Sequence, residues 1–152
     1  GHGTTFTLYF PITRQALRTI DTPLSKTEYM GNGETILVID DIREQREIAV
    51  EMLSRLGYQV TALASGEEAV DYLKTRTADL LILDMVMDPG LDGLETYRQI
   101  IKIHPGQKAI ILSGFSESER VKELQRLGAG TYLRKPFLFQ KIGLAIRTEL
   151  TR

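Results

Sequence analysis

The stretch Leu80-Leu-Ile-Leu-Asp84 decides the fold, because it carries four apolar residues that end on one carboxylate. A short continuous apolar run is typical of a strand that is buried on both faces in the middle of a parallel sheet. Asp84 then lies at the carboxyl end of that strand, where open α/β sheets bind their ligands. We therefore expect the side chain of Asp84 to be functional rather than structural.

A second apolar run, Thr35-Ile-Leu-Val-Ile, stops on the acidic pair Asp40 and Asp41. If the two strands are neighbours, their ends bring three carboxylates to one edge of the sheet. Carboxylates in one pocket do not all remain ionised unless a cation compensates them. The pattern therefore predicts a divalent metal ion at this edge.

Beyond Gly33, apolar strands alternate five times with segments whose apolar residues recur at helical spacing. Ser65-Gly-Glu-Glu68 is typical of a capped helix start. Five successive strand–helix units with right-handed crossovers predict a doubly wound α/β domain with helices on both faces of a parallel sheet. The predicted strands begin near Thr35, Tyr58, Leu80, Ala109 and Thr131.

Composition excludes several classes of function. The chain has 152 residues, 42% of them hydrophobic, and a formal net charge of −1, so a polyanionic partner such as nucleic acid is not indicated. The absence of cysteine excludes disulfides, thiolate zinc sites and thiol catalysis. No apolar run approaches the roughly 20 residues needed to span a bilayer. We expect a fragment without membrane contact in the cytoplasm.

Residues 34–152 resemble a response-regulator receiver domain from end to end. The resemblance implies a flavodoxin-like, five-stranded parallel sheet of order 2-1-3-4-5 with five helices. Each residue that carries it follows the end of a predicted strand, a spatial constraint that no single motif imposes. These residues are Asp40 and Asp41, Asp84, Ser113, and Lys135 with Pro136.

The resemblance also implies the role of each residue. Asp84 would be the phosphoacceptor, and Lys135 and Ser113 would contact the phosphoryl oxygens. An aspartate carboxylate can attack a phosphoryl group and hold it as an acyl phosphate, provided that the charge on the phosphoryl oxygens is neutralised. The chain would then catalyse its own phosphorylation and dephosphorylation. Ser113 and Tyr132 would form a conformational switch, and the peptide before Pro136 would be cis.

The metal implied by the resemblance is Mg²⁺, a hard cation that prefers oxygen ligands. Its ligands would be Asp40, Asp41, Asp84 and the main-chain carbonyl of Val86.

The loop Asp84-Met-Val-Met-Asp-Pro-Gly-Leu-Asp-Gly93 departs from the family pattern. Receivers commonly have proline four residues after the nucleophile, whereas here Asp88 holds that place and Pro89 follows. The additional residue brings another carboxylate towards the metal, although we expect Asp88 to cap a turn. Val86 and Phe115 occupy the positions that flank the hydrolytic water in receivers. Because both are apolar, they predict slow dephosphorylation.

The amino-terminal residues suggest a different origin. In residues 1–13, Phe6, Leu8 and Phe10 alternate with polar residues, and the segment resembles the last strand of the ATP-binding domain of sensor histidine kinases. Residues 14–33 are predicted to be a linker. This organisation favours a receiver at the carboxyl end of a hybrid sensor histidine kinase. A cloning remnant followed by a polar tail is the alternative.

Three functions remain open at this point. The first is a receiver that takes phosphate from a histidine kinase or a histidine phosphotransfer domain, with formation of a homodimer left open. His104, which precedes a proline, is expected to be a solvent-facing turn residue and not a donor. The second is a degenerate receiver that acts only in protein interactions. The third is a phosphatase of the haloacid dehalogenase type, but that family requires an aspartate where Val86 stands.

Overall fold

The sheet has the strand order that the sequence predicts. The structure is a computed structural model, and it describes residues 3–9, 26–114 and 119–152. Five strands form one parallel sheet in the order β2-β1-β3-β4-β5. They are β1 (Thr35–Ile39), β2 (Gln59–Leu63), β3 (Leu80–Asp84), β4 (Ala109–Ser113) and β5 (Tyr132–Arg134).

A helix follows each strand, which confirms the predicted alternation. The five helices are α2 (Arg43–Arg55), α3 (Gly66–Leu73), α4 (Gly93–Ile103), α5 (Glu119–Arg126) and α6 (Phe139–Thr151). The predicted cap at the start of α3 is present, because Ser65 Oγ accepts from Glu68 N at 3.2 Å, but the returning bond differs from that of a capping box, since Glu68 Oε2 accepts from Ala64 N at 2.9 Å and not from Ser65 N. Gly57 ends α2 with a φ of +89°, a conformation that favours glycine.

The core lies on both faces of the sheet because successive strand residues point to opposite sides. All five residues of β3 and of β4 are buried, as the continuous apolar runs predict. Leu81 and Leu83 pack with residues of α3, α4 and α5 on one face, whereas Leu80 and Ile82 pack with residues of α2 and α6 on the other. This packing fixes β1 and β3 side by side in the centre, with their carboxyl ends at the same edge.

Part of the predicted linker is folded. Residues Lys26–Tyr29 form a short helix, α1, within the interval 14–33 that the sequence assigns to a linker. The Tyr29 side chain is buried, and its ring lies edge-on to Phe139 of α6 at 6.3 Å between centroids. Gly143 leaves room for this contact, since a Cβ there would lie 2.9 Å from Tyr29. The packed unit therefore begins before residue 34.

Residues 3–9 form neither helix nor strand and are exposed. The strand predicted within residues 1–13 is thus not formed where the chain is described, and residues 10–13 lie outside the described residues. The kinase origin of this segment stays a prediction. Across the described ranges, no helix is long and apolar enough to cross a membrane.

Candidate functional site

Three aspartates meet at the carboxyl edge of the central strands. Asp40 and Asp41 follow β1 and Asp84 ends β3, and the two strands are paired with Ile39 opposite Leu83. The three side chains each offer a carboxylate oxygen, and these oxygens lie within 4.8 Å of one another. The acidic cluster predicted from the strand ends is therefore present.

Lys135 joins this cluster from the end of β5. Its Nζ lies 2.7 Å from Asp40 Oδ2 and 2.9 Å from Asp84 Oδ2. The Lys135–Pro136 peptide is cis, as predicted. The lysine thus bridges the two buried carboxylates and leaves Asp41 to other partners.

Burial raises the pKa of the Asp84 carboxyl above its ordinary value. The hydrogen bond and the positive charge of Lys135 oppose this shift, and the negative charge of Asp40 reinforces it. A hydrogen bond from the Val86 backbone also favours the ionised form. Since the net shift is upward, Lys135 alone does not offset the cost of keeping this charge away from water.

Asp40 and Asp41 are held in different ways. Asp40 Oδ1 accepts from Ile42 N at 2.9 Å, which fixes its carboxylate towards Lys135. Asp41 Oδ2 accepts from Asp88 N at 3.3 Å. Its other oxygen, Oδ1, is buried and has no hydrogen-bond partner among the described residues.

This donor set fits a hard divalent cation. An orphaned buried carboxylate oxygen is costly unless a proton donor or a cation meets it. Oxygens from three carboxylates, with one lysine beside them, match the ligand type and charge that Mg²⁺ prefers. The cluster is therefore compatible with the predicted metal.

Ser113 lies on β4, the strand next to that of Asp84, and Tyr132 lies on β5, one strand further along the sheet. Ser113 ends β4 and is buried, and its carbonyl accepts from Lys135 N at 2.8 Å. Tyr132 begins β5, is partly buried, and pairs with Ile111. The sheet order thus brings the predicted switch residues to the same side of the nucleophile candidate.

The loop after Asp84 brings Asp88 to the acidic cluster, but not through its carboxylate. Val86 is 58% exposed, and Asp88 is also exposed. It is the main chain of Asp88, not its carboxylate, that contacts the cluster. Phe115 lies outside the described residues, so its predicted position beside Val86 is untested.

Sequence reasoning missed Glu67. Its Oε1 accepts from Leu91 N at 2.9 Å and so ties α3 to the loop after Asp84. A hydrogen bond from its own main-chain N–H, together with the one from Leu91 N, holds the pKa of Glu67 below its usual value. No sequence signal distinguishes it, because an acidic residue in the first turn of a helix already has a local explanation.

His104 is not the solvent-facing residue that was expected. It is partly buried, and its Nε2 lies 2.7 Å from the Leu73 carbonyl oxygen. This contact joins the end of α4 to α3, away from the acidic cluster. It gives His104 a structural role.

An apolar groove opens beside the cluster. It has a volume of about 380 Å³ and runs between α2 and the loop that follows β5. Ile48 and Met52 line it on one side and Phe137 on the other, and it reaches Asp40 and Lys135. The Ile48 side chain is exposed. An apolar surface of this kind next to charged residues is typical of a protein-binding site.

Comparison with known proteins agrees with this geometry. Residues 36–147 match the family model described as response regulator receiver domain. Sporulation initiation phosphotransferase F of Bacillus subtilis is 33% identical over 118 residues, which cover 78% of this chain and 94% of that protein. The receiver domain of the Francisella response regulator 1452 has a TM-score of 0.71 and 26% identity, over 79% of this chain and 98% of that one.

A longer relative matches the entire chain. Sensor kinase CckA of Brucella abortus is 29% identical over 161 aligned residues, which cover 100% of this chain but 17% of the kinase. The chain thus covers almost all of sporulation initiation phosphotransferase F but only a small part of the sensor kinase. The chain belongs to the response regulator receiver domain family, the phosphoacceptor domains of two-component signalling.

Proposed function

We propose that Asp84 is the residue that accepts the phosphoryl group, and that the donor is a phosphohistidine on another domain. The observation that carries this proposal is the environment of Asp84, which is buried, has a raised pKa, and shares Lys135 with Asp40. A buried carboxyl group whose pKa is perturbed by desolvation and by a specific charge partner is a candidate reactive group.

The proposed transfer is a direct displacement. An oxygen of the ionised Asp84 carboxylate forms a bond to phosphorus while the bond between phosphorus and the donor imidazole nitrogen breaks. The nitrogen departs with the electron pair and remains on the donor. The product is an aspartyl phosphate on this chain. Lys135 contacts one phosphoryl oxygen as a point charge, and Ser113 donates its hydroxyl to another.

We assign Mg²⁺ to the three aspartates, with the carbonyl of Val86 as a further ligand. Support comes from the orphaned Asp41 Oδ1 and from the clustered carboxylate oxygens. When bound, Mg²⁺ supplies positive charge beside the phosphoryl oxygens. Asp40 is held in this cluster by hydrogen bonds from Ile42 N and from Lys135 Nζ.

The response to phosphorylation is assigned to Ser113 and Tyr132. Ser113 moves towards the phosphoryl oxygen, and Tyr132, which is partly buried on the neighbouring strand, turns inwards. This is a shift between two conformations of one element, biased by a ligand that binds one of them better. The surface that changes is formed by α5, β5 and α6.

Receiver domains interact with histidine kinases or histidine phosphotransfer proteins, and the groove beside the cluster fits such a partner. A helix that carries the donor histidine would lay its apolar face on Ile48, Met52 and Phe137. The groove reaches Asp40 and Lys135, so a histidine on that helix would approach Asp84. Of the two histidines in the chain, His104 contacts Leu73 and is not available as a donor.

The parent protein is proposed to be a hybrid sensor histidine kinase. The match to sensor kinase CckA extends over residues that precede the receiver, where the sequence resembles the end of a kinase ATP-binding domain. Homodimer formation stays a possible additional property of this fragment.

A small-molecule phosphodonor tests the assignment of Asp84. The purified chain is incubated with acetyl phosphate and Mg²⁺, and the acyl phosphate is measured by intact mass. Asp84→Asn should give none, because the amide keeps the shape and loses the nucleophilic oxygen. Asp79→Asn is the matched control, since it makes the same change at the other end of β3 and should leave the yield unchanged.

Two results would contradict the proposal. An equal yield from Asp84→Asn would place the phosphoryl group elsewhere. A parent chain that remains unmodified with both acetyl phosphate and a panel of phosphorylated donor domains would instead indicate a degenerate receiver.

A further inference from the structure

The loop after Asp84 is tied down at two points. At one end, Asp88 N donates to Asp41 Oδ2 at 3.3 Å. At the other, Leu91 N donates to Glu67 Oε1 at 2.9 Å. Between these two hydrogen bonds, this part of the described chain spans from α3 to the predicted metal site.

Gly90 brings the loop close to Glu67. Its φ is +117°, which favours glycine, and a Cβ at this position would lie 2.7 Å from Glu67 Oε1. The main chain therefore passes directly beside the carboxylate. The short bond to Leu91 and this close approach fix where the loop runs.

The position of the loop affects the hydrogen bond from Asp88 N to Asp41 Oδ2. A donor–acceptor distance of 3.3 Å is long for an N–H···O hydrogen bond, so small displacements of Asp88 weaken it. That bond occupies Asp41 Oδ2 and leaves the buried Oδ1 without a partner. A main-chain group of this loop is therefore in contact with the carboxylate whose other oxygen is unpartnered among the described residues.

We propose that Glu67 is a positioning residue for the metal site, and that the additional loop residue acts through its main chain. Glu67 holds Leu91, the held loop presents Asp88 N to Asp41, and this orients Asp41 Oδ1 towards Mg²⁺. The carboxylate of Asp88 has no part in this arrangement. The inference rests on the Mg²⁺ assignment made above, and it explains why a loop of non-standard length is compatible with an intact acidic cluster.

Hydrogen-bond partners behind a metal ligand orient it, and their loss typically lowers metal affinity roughly 10–100-fold. Glu67 lies one step further out, because a segment of main chain separates it from Asp41. We therefore expect Glu67→Ala to weaken Mg²⁺ binding by roughly three- to ten-fold. No metal ligand is altered in this variant.

The matched control is Glu67→Gln. Both substitutions remove the same negative charge, but the glutamine amide oxygen can still accept from Leu91 N. Mg²⁺ affinity is measured by isothermal titration calorimetry on the parent and on both variants. If the Glu67–Leu91 hydrogen bond positions the loop, the Mg²⁺ affinity of Glu67→Gln should stay within about twofold of the parent, whereas that of Glu67→Ala should not. If both variants change equally, the effect is one of charge and the proposal is wrong.

A second measurement needs no metal. Hydrogen exchange at the Leu91 and Asp88 amides of the metal-free chain should be faster in Glu67→Ala and near parental in Glu67→Gln. Parental exchange at both amides in Glu67→Ala would overturn the proposal. A parent chain that binds no Mg²⁺ would instead refute the metal assignment, so the two failures are distinguishable.

Discussion

Asp79 and Asp84 stand at opposite ends of β3, and the pKa values of their carboxyl groups are shifted in opposite directions. Asp79 Oδ2 accepts from Thr35 N and from Thr35 Oγ1, each at 2.7 Å, and these hydrogen bonds hold its pKa below the usual range. Asp84 is buried beside Lys135, and burial raises its pKa. At one edge of the sheet, hydrogen bonds thus stabilise the ionised aspartate, whereas at the other edge the cost of burying the charge is not fully offset.

The difference shows what distinguishes a structural strand-end aspartate from a reactive one. At the amino edge, neutral donors of a neighbouring strand meet the carboxylate and stabilise the fold. At the carboxyl edge, three carboxylates lie together but one ammonium group contacts only two of them, Asp40 and Asp84, and a ligand must supply the remaining charge. The crevice beyond the carboxyl ends of parallel strands is where such under-compensated groups are functional.

The largest expected effect comes from removing the ammonium group. Lys135→Met leaves Asp40 and Asp84 buried without their common partner, so the free energy of unfolding at neutral pH should fall by about 2–3 kcal/mol, less than for a fully buried pair because the lysine is partly exposed. Addition of Mg²⁺ should recover part of this loss. Urea unfolding with and without Mg²⁺ measures both quantities. Equal stability of parent and variant without Mg²⁺ would mean that the carboxylates are compensated by other groups.

Asp84→Asn should have the opposite effect on stability. Because the folded-state pKa is raised, the ionised carboxyl destabilises the fold at neutral pH. The neutral amide should remove this penalty and so raise the free energy of unfolding by about 1 kcal/mol. The gain should shrink as the pH falls towards about 3.9, where the unfolded-state carboxyl also becomes protonated. Urea unfolding of the metal-free chains at several pH values gives the profile. A variant less stable than the parent at pH 7 would contradict the direction of the pKa shift.

Asp79→Asn is expected to destabilise the fold, by about 1 kcal/mol or less, since the two hydrogen bonds from Thr35 at this solvent-accessible site are weakened when the acceptor loses its charge. Its folded-state pKa is lowered, so the parent's advantage is fully present above the unfolded pKa near 3.9. The advantage is lost as the pH falls through the lower, folded-state value. The change in the free energy of unfolding relative to the parent should therefore have opposite signs for Asp79→Asn and Asp84→Asn at pH 7. The two changes should converge as the pH is lowered.

The position of the acidic cluster could be predicted from sequence because it depends on strand ends alone. Leu80 to Asp84 is too short and too apolar to be read as an amphipathic helix, and parallel strands present their carboxyl ends at one edge. Asp40, Asp41 and Asp84 can therefore be assigned to one site without any coordinate. Lys135 also follows a predicted strand, but its assignment to the site rests on the resemblance to receiver domains.

Contacts between distant residues could not be predicted in this way. Helix α1 spans four residues, which is too short for a periodic pattern, and it is held by the packing of Tyr29 against Gly143 and Phe139. Glu67 has a local explanation as a first-turn acid, which hides its bond to Leu91. In both cases tertiary packing gives a residue a role that its neighbours in sequence do not indicate.

The smallest expected effect concerns the carboxyl edge after phosphorylation. Hydrolysis requires water to attack phosphorus as the bond to the Asp84 oxygen breaks, and this regenerates the carboxylate. Val86, two residues after Asp84, is exposed and apolar, so it cannot orient that water by hydrogen bonding. Val86→Asn should therefore speed the loss of phosphate at saturating Mg²⁺ by roughly threefold, well below the factor for general base catalysis. Asp79→Asn, again the control, should leave the rate unchanged because its carboxylate lies at the far end of the strand. If Val86→Asn loses phosphate no faster than the parent, an apolar residue at this position does not limit hydrolysis, and the main chain around Asp88 becomes the next segment to vary.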